Sequence, residues 1–483
     1  MSKGNLSDNS VDKSISTLEN SGKAKQPADT LNPNQIQHAK KVDEDFFKDI
    51  IMKSIPKESQ ITSIRFEGPY IALYTLNPKF SLTELTYYLS SLSKNVKKRF
   101  VVRTDPSIRL SEDETRSAVI KMLPSEVTIS AVFCDDATGE VVLEVNRPES
   151  IDANMVIEIA QATGWIAHTL RSPHIQSSSM NMIHSTQKSS AKERNLFLQS
   201  LGKRVFRPPL VLESNDSNLN FVNQSSDNRS EITELKSKIR NKEEIALFCL
   251  GGVKQVGRSC FIVVTSESKI MLDCGINPGE PLGISAYPRL DWFNFDLDEL
   301  DAVIISHAHI DHQGFLPALF KFGYKGPVYC TEPTLPLMTL LQYDSVKISK
   351  SNGTFLPYEA RDVNEVIKHC ITLPYGKPTD ISPDVTITFN NAGHIMGSAT
   401  VHINVFGTHN ILYSGDYKYA RTQLLDSAVS VYPRVETLIT ESTYGNSIDI
   451  MPDQSVVYKT FTDTINKTLS SGGKVLIPVP AVG

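Results

Sequence analysis

The feature that most constrains this chain is the run Ser306-His307-Ala308-His309-Ile310-Asp311-His312, set directly after the apolar strand Ala302 to Ile305. Three imidazoles and a carboxylate leave one strand end together. By period-two alternation His307 and His309 point the same way, while Asp311 and His312 turn back to a neighbouring position. That makes two adjacent metal pockets. Imidazole and carboxylate ligands suit zinc, and a mixed N/O set with open positions is what a catalytic site requires. Further ligands must come from elsewhere in the chain. His394 sits between glycines in Asn391-Ala392-Gly393-His394-Ile395-Met396-Gly397-Ser398, and Asp416 closes Ser414-Gly415-Asp416 straight after the strand Ile411 to Tyr413. A carboxylate there can bridge two ions. Asp273, in Met271-Leu272-Asp273-Cys274-Gly275, is either an Asx turn or a group that holds the ligands from behind. His369, His402 and His409 lack such a context and read as structural or surface histidines.

The rest of the chain is organised around this centre. Residues 1–42 are Ser, Asn, Asp, Lys and Gln without an aromatic, too polar to offset the entropy of ordering them, and read as a disordered tail. Two small α/β units of similar order follow, over 43–111 and 112–182, which points to tandem domains. The stretch 183–243 is Ser/Asn-rich and reads as a linker with one helix around Glu193 to Leu201. From 244 to 445 strands dominate, with helices around Phe315 to Phe320, Leu335 to Ile348 and Tyr358 to Cys370. A last segment covers 446–483. Forty-nine Lys+Arg against 54 Asp+Glu give a net charge of -5, which excludes a chain that coats DNA by charge alone. Six scattered cysteines without a C-x-x-C pair fit core thiols in a reducing compartment. With no apolar signal region and no membrane-length run, the expected location is cytoplasmic, without a membrane partner.

The order H-x-H-x-D-H, Gly-flanked His, strand-end Asp resembles the metallo-β-lactamase superfamily. The opening Gly251-Gly252-Val253-Lys254-Gln255-Val256-Gly257-Arg258-Ser259-Cys260 and the later Glu441-Ser442-Thr443-Tyr444-Gly445 look like its β-CASP nucleases. The end, Val475 to Gly483, is similar to the strand that begins their nucleotide-handling part. The small units, through Phe66-Glu67-Gly68-Pro69, Tyr74 to Pro78, Phe100 to Ser107 and Thr163-Gly164-Trp165, resemble the tandem KH region of archaeal β-CASP ribonucleases related to the cleavage and polyadenylation specificity factor. The implied fold is α/β (α+β): an αββα sandwich over 244–445, preceded by two KH-like domains and followed by the start of a β-CASP domain. One departure is plain. Between Asp43 and Ser200 the only glycines are Gly68, Gly139 and Gly164, so no G-x-x-G clamp is available, and its place reads Ser150-Ile151-Asp152-Ala153-Asn154-Met155. The cluster Lys94, Lys97, Lys98, Arg99 and Arg103 is either a weak RNA contact or a solvated basic face.

The resemblance implies a two-zinc ribonuclease acting on single-stranded RNA, in transcript 3′-end cleavage, transcription termination and RNA processing. In it His307, His309 and His394 hold one zinc and Asp311 and His312 the other. Asp416 bridges, and Asp311 and Glu441 serve catalysis. It further implies kinship with the transcription machinery, a homodimer for the full-length protein, and two more histidines beyond Gly483, which makes the chain read as a fragment. Two other readings stay open: an inactive or weakly active RNA-binding scaffold, and a small-molecule metallo-hydrolase.

Overall fold

The computed structural model describes residues 44–96, 98–173, 177–207, 245–281, 283–292 and 296–479. The expected tail, Lys97, the stretch 208–243 of the expected linker and residue 244 lie outside them.

Both small units run helix, strand, strand, helix, strand: α1 (Glu44–Ser54), β1 (Ile61–Glu67), β2 (Tyr70–Thr75), α2 (Pro78–Val96) and β3 (Phe100–Thr104), then α3 (Glu112–Met122), β4 (Ile129–Asp135), β5 (Glu140–Val145), α4 (Ala153–Thr163) and β6 (Ile166–Arg171). In each, the first two strands pair antiparallel and the third joins parallel to the second. A parallel return needs a crossover, which α2 and α4 supply. Ser111 and Glu114 form a reciprocal capping box at the start of α3. Asp152 caps α4 by accepting the Met155 N–H at 2.8 Å. The carboxylate at the place of a glycine clamp is therefore committed to its own helix N-terminus.

The two units are tied by charge as well as by apolar packing. Arg103, only 4% exposed, lies 3.6 Å from Glu67 of its own sheet and 2.6 Å from Glu140 of the next unit. Tyr74 donates its hydroxyl to the other oxygen of Glu67. Trp165 donates its indole N–H to the Leu110 carbonyl, and Arg109 lies over its ring.

The expected linker starts differently from the sequence reading. Two helices, α5 (Ser178–Ser189) and α6 (Ala191–Val205), stand where one was expected. Their polar composition hid the packing: Ile183 of α5 enters the core of the large domain, His184 stacks on Phe133 of β4, and Arg194 of α6 pairs with Asp135 at 3.0 Å. Helix α6 also lies against β1, where a Cβ on Gly202 would stand 2.3 Å from the Phe66 backbone. Only glycine allows that approach.

The large domain stacks two sheets. The first has the order β12-β11-β10-β9-β8-β7, from β7 (Ala246–Gly251), β8 (Cys260–Val264), β9 (Lys269–Leu272), β10 (Ala302–Ile304), β11 (Val328–Cys330) and β12 (Cys370–Thr372). The second runs β13 to β17 in order: β13 (Thr379–Asp380), β14 (Val385–Asn391), β15 (Ala399–Val405), β16 (His409–Tyr413) and β17 (Thr437–Ile439). Phe261, Val263, Ile270, Leu272 and Ile304 of the first sheet meet Ile387, Phe389, Val401 and Ile403 of the second in one buried layer. On the outer face of the first sheet pack α7 (Ile310–Gln313), α8 (Leu316–Lys321), α9 (Thr334–Asn352) and α10 (Ala360–His369), over Ile262, Met271, Val303 and Val328. The solvent side of β14 and β15 carries Thr386, Thr388, His402 and Asn404 in alternation with core residues.

Helix α11 (Gln454–Ser470) follows β17. The expected strand from Val475 onward is absent among the described residues: 475–479 join no sheet. A strand needs a neighbour for its backbone groups, and none adjoins this segment. Of the cysteines, Cys249 is exposed and the other five are buried free thiols, so the core reading fails at one position. Among the described residues no helix is long and apolar enough to cross a membrane.

Candidate metal centre

Strand ends of both sheets deliver the centre to one rim. β10 ends into Ser306 to His312, β9 into Asp273, β16 into Ser414 to Asp416, β17 into Glu441, and the β14–β15 turn carries His394. His309 stands at the N-terminus of α7 with extended backbone, so α7 turns Asp311 and His312 back toward the site. The close turn rests on Gly275, where a Cβ would lie 1.6 Å from the Asp311 carbonyl.

Two donor sets share one carboxylate. His309 Nδ1 is 3.1 Å from His307 Nε2 and 3.1 Å from His394 Nε2. Asp416 Oδ2 lies 3.8 Å from His307 Nε2 and 3.7 Å from His394 Nε2, and ligand atoms from these four residues all lie within 4.8 Å of one another. The other oxygen, Oδ1, is 3.3 Å from His312 Nε2, which is 3.7 Å from Asp311. A tetrahedral ion with metal–nitrogen bonds of about 2.1 Å sets its ligands roughly 3.4 Å apart, so the three imidazole nitrogens have the spacing and chemistry of a zinc site.

The tautomers follow from the groups behind. Ser306 gives its hydroxyl proton to Asp273 Oδ2 at 2.7 Å, so its oxygen accepts from His307 Nδ1–H at 3.0 Å, and the Nε2 lone pair faces the site. His312 Nδ1–H donates to the same Oδ2 at 2.7 Å and likewise presents Nε2. Asp273 also accepts the Ser306 N–H and the Tyr413 hydroxyl, at 2.7 and 2.6 Å. Burial, with three imidazoles nearby, holds the His307 pKa well below the ordinary value. Burial likewise lowers His394. Burial also opposes charge on His312, but Asp273 and Asp416 outweigh it and its pKa is raised. Burial would raise Asp416, and His312, His394 and His309 more than reverse it. Neutral His307 and His394 beside an ionised Asp416 are the forms a divalent cation needs, whereas His312 gives up a proton to become a ligand.

Asp273 holds a left-handed backbone, φ 55°, which Asn also tolerates. Asp273→Asn therefore removes charge and keeps shape. Its metal affinity is expected to fall about 10–100-fold, read by competition with a chromophoric chelator. Unchanged affinity would remove Asp273 from any role behind the ligands.

Several roles were missed in the sequence. Tyr413 and Ser306 support Asp273, and the hydroxyls of Thr331 and Thr334 both bond the Gly397 carbonyl, fixing the His394 turn. A tyrosine at the buried end of an apolar strand needs a partner for its hydroxyl, which was the available signal for Tyr413. Glu441 accepts the Tyr417 N–H at 3.0 Å, one residue after Asp416. His369, against Phe197 and Phe320, is a packing residue; His402 bonds the Arg434 carbonyl and His409 faces Thr437.

The basic cluster needs correction. Arg103 is buried between two glutamates and cannot reach a phosphate. Lys98 pairs with Asp380 at 2.6 Å and Arg99 donates to Thr379 at 2.8 Å, so both tie the first unit to β13. Lys94 is exposed, and Lys97 lies outside the described residues.

The matches to known proteins agree with this layout. Residues 43–109 match the KH domain of the transcription termination factor FttA, and 262–443 match the metallo-β-lactamase superfamily domain. Transcription termination factor FttA of Cenarchaeum symbiosum is 43% identical over 438 residues, covering 90% of this chain and 63% of the relative. That of Methanothermobacter thermautotrophicus is 39% identical over 440 residues, covering 90% and 64%. That of Methanocaldococcus jannaschii is 37% identical over 449 residues, covering 92% and 66%. The chain thus spans a little under two thirds of the length of these relatives.

Proposed function

The chain belongs to the metallo-β-lactamase superfamily and carries the KH domain of the FttA termination factors, and on that premise we propose that it is a two-zinc ribonuclease of the β-CASP type acting in transcription termination. The observation that carries this reading is the Asp416 carboxylate, with one oxygen toward His307 and His394 and the other toward His312. His307, His309 and His394 would hold one ion, Asp311 and His312 the other, with Asp416 between. When bound, the ions supply Lewis acidity that makes hydroxide available near neutral pH and stabilises charge growing on the phosphoryl oxygens.

The chain's own residues set the geometry. Asp311, beside His312 and half-buried, accepts a proton from the attacking water and aims it in line with the scissile phosphorus. Ser306, Asp273 and Tyr413 keep His307 and His312 in the tautomers that turn Nε2 to the metal site. Glu441 holds the backbone after Asp416 and so fixes the direction of that carboxylate. The substrate is single-stranded RNA released by the transcription machinery, in a cytoplasmic setting.

The test is cleavage of end-labelled single-stranded RNA by the zinc-loaded chain, beside the chelated chain and beside a thioester and a lactone. Zinc-dependent cleavage of RNA is the expected result. Faster turnover of the thioester or lactone would replace the reading with a small-molecule hydrolase, and RNA binding without turnover of anything would replace it with a scaffold.

A further inference from the structure

The segment that leaves the metal centre alternates aromatic and basic residues: Asp416-Tyr417-Lys418-Tyr419-Ala420-Arg421. Its backbone is pinned on three sides. The Lys418 N–H donates to Ala392 beside the His394 turn at 2.8 Å, the Lys418 carbonyl accepts from Ala428 at 2.9 Å, and the Tyr417 N–H donates to Glu441 at 3.0 Å. The rings nevertheless stand in solvent, Tyr417 at 42% and Tyr419 at 75% exposure, and Tyr444, three residues after Glu441, at 69%. Lys418 makes no ion pair among the described residues, while Arg421 pairs with Asp426 at the surface at 3.2 Å.

Large rings held in water on an ordered backbone, with a lysine between them in sequence, match one kind of ligand. An unpaired nucleobase offers a π face and the adjoining phosphate a negative charge. Bases within a duplex have their faces occupied, so such a surface selects single strands. An apolar protein surface would be less well served by an exposed lysine that makes no ion pair among the described residues. We infer that Tyr417, Lys418 and Tyr419 form a platform that stacks unpaired bases and holds the intervening phosphate, seating single-stranded RNA beside the metal centre. The inference rests on the ribonuclease reading for the identity of the strand, and adds to it the residues that grip it.

The test uses the full 483-residue chain loaded with zinc and a short fluorescein-labelled oligouridine with phosphorothioate linkages, read by fluorescence anisotropy across a salt series. Tyr419→Ala is expected to bind about tenfold more weakly, and Tyr419→Phe, which keeps the ring, within about twofold of the parent. Lys418→Ala is expected to lower the slope of log affinity against log salt by about 0.7, the contribution of one phosphate contact on a single strand. Tyr417→Ala and Tyr419→Ala binding like the parent, with the parent's salt slope, would overturn the platform. So would equal affinity for a pre-annealed duplex. Tyr419-dependent binding together with no cleavage of ordinary RNA by the parent chain would uphold the platform and overturn the ribonuclease reading.

Discussion

His309→Ala is expected to lower RNA hydrolysis by the zinc-loaded chain about a thousandfold or more, roughly 4 kcal/mol of transition-state stabilisation, with an unchanged circular dichroism spectrum. The size follows from position: His309 Nδ1 is the one donor 3.1 Å from both His307 and His394, so its removal opens the set from the middle. The fold tolerates the change because His309 sits at the start of α7 with non-helical backbone, caps nothing with its side chain, and belongs to neither core layer. Zinc content measured on the same sample should fall with activity. Zinc-dependent cleavage retained by this variant would sink the assignment of the centre.

Arg103→Met is expected to cost about 3–5 kcal/mol at neutral pH, measured by urea unfolding, because it strands charge in a buried place. Glu67 is 2% exposed and would keep only the Tyr74 hydroxyl. A loss of this size is a large share of ordinary domain stability. Replacing Arg103, Glu67 and Glu140 together by apolar residues should cost far less, since the penalty lies in the unpaired charge. The pH dependence has a definite sign. Burial would raise the Glu140 pKa, but Arg103 and then His168 bring it from 4.5 down to about 2. A carboxylate depressed in the folded state stabilises above its unfolded pKa and ceases to as pH falls through its folded one. The gap between parent and Arg103→Met should therefore be full above about pH 4.5 and narrow toward pH 2. A neutral-pH loss below about 1 kcal/mol would mean that the pair is solvated after all.

Much of the site was legible because its residues are contiguous or end an apolar strand. His307 to His312 follow β10 directly, and Asp416 follows β16, so local pattern alone placed them at sheet ends. The helices of the large domain were legible for the same reason: Leu335 to Ile348 lies within α9 and Tyr358 to Cys370 spans α10. What stayed hidden depends on long-range contact. Arg103 reads as one more cation in a basic run, and nothing nearby reveals that β3 turns it toward Glu67 and, across a domain boundary, Glu140. Helix α5 has the composition of a linker, and beyond the Ser177 cap it is the tertiary seat of Ile183 and the His184–Phe133 stack that hold it. The partners of Asp273 come from β10 and β16, far from it in sequence, and no spacing rule connects them.

The close seat of Gly202 on Phe66, with Arg194 on Asp135 and Ile183 in the large domain's core, has a bearing on how this molecule can come apart. Domains joined by a slack tether open one at a time, each at its own free energy, and can be cut, exchanged or permuted at the joint. Here α5 and α6 are themselves interior surface. Losing the first small unit would uncover Leu198 and Leu201, and losing α5 would leave a hole in the large domain. The small units and the metal-bearing sandwich are therefore expected to lose structure together, and a recombination breakpoint placed within α5 or α6 would damage both parents.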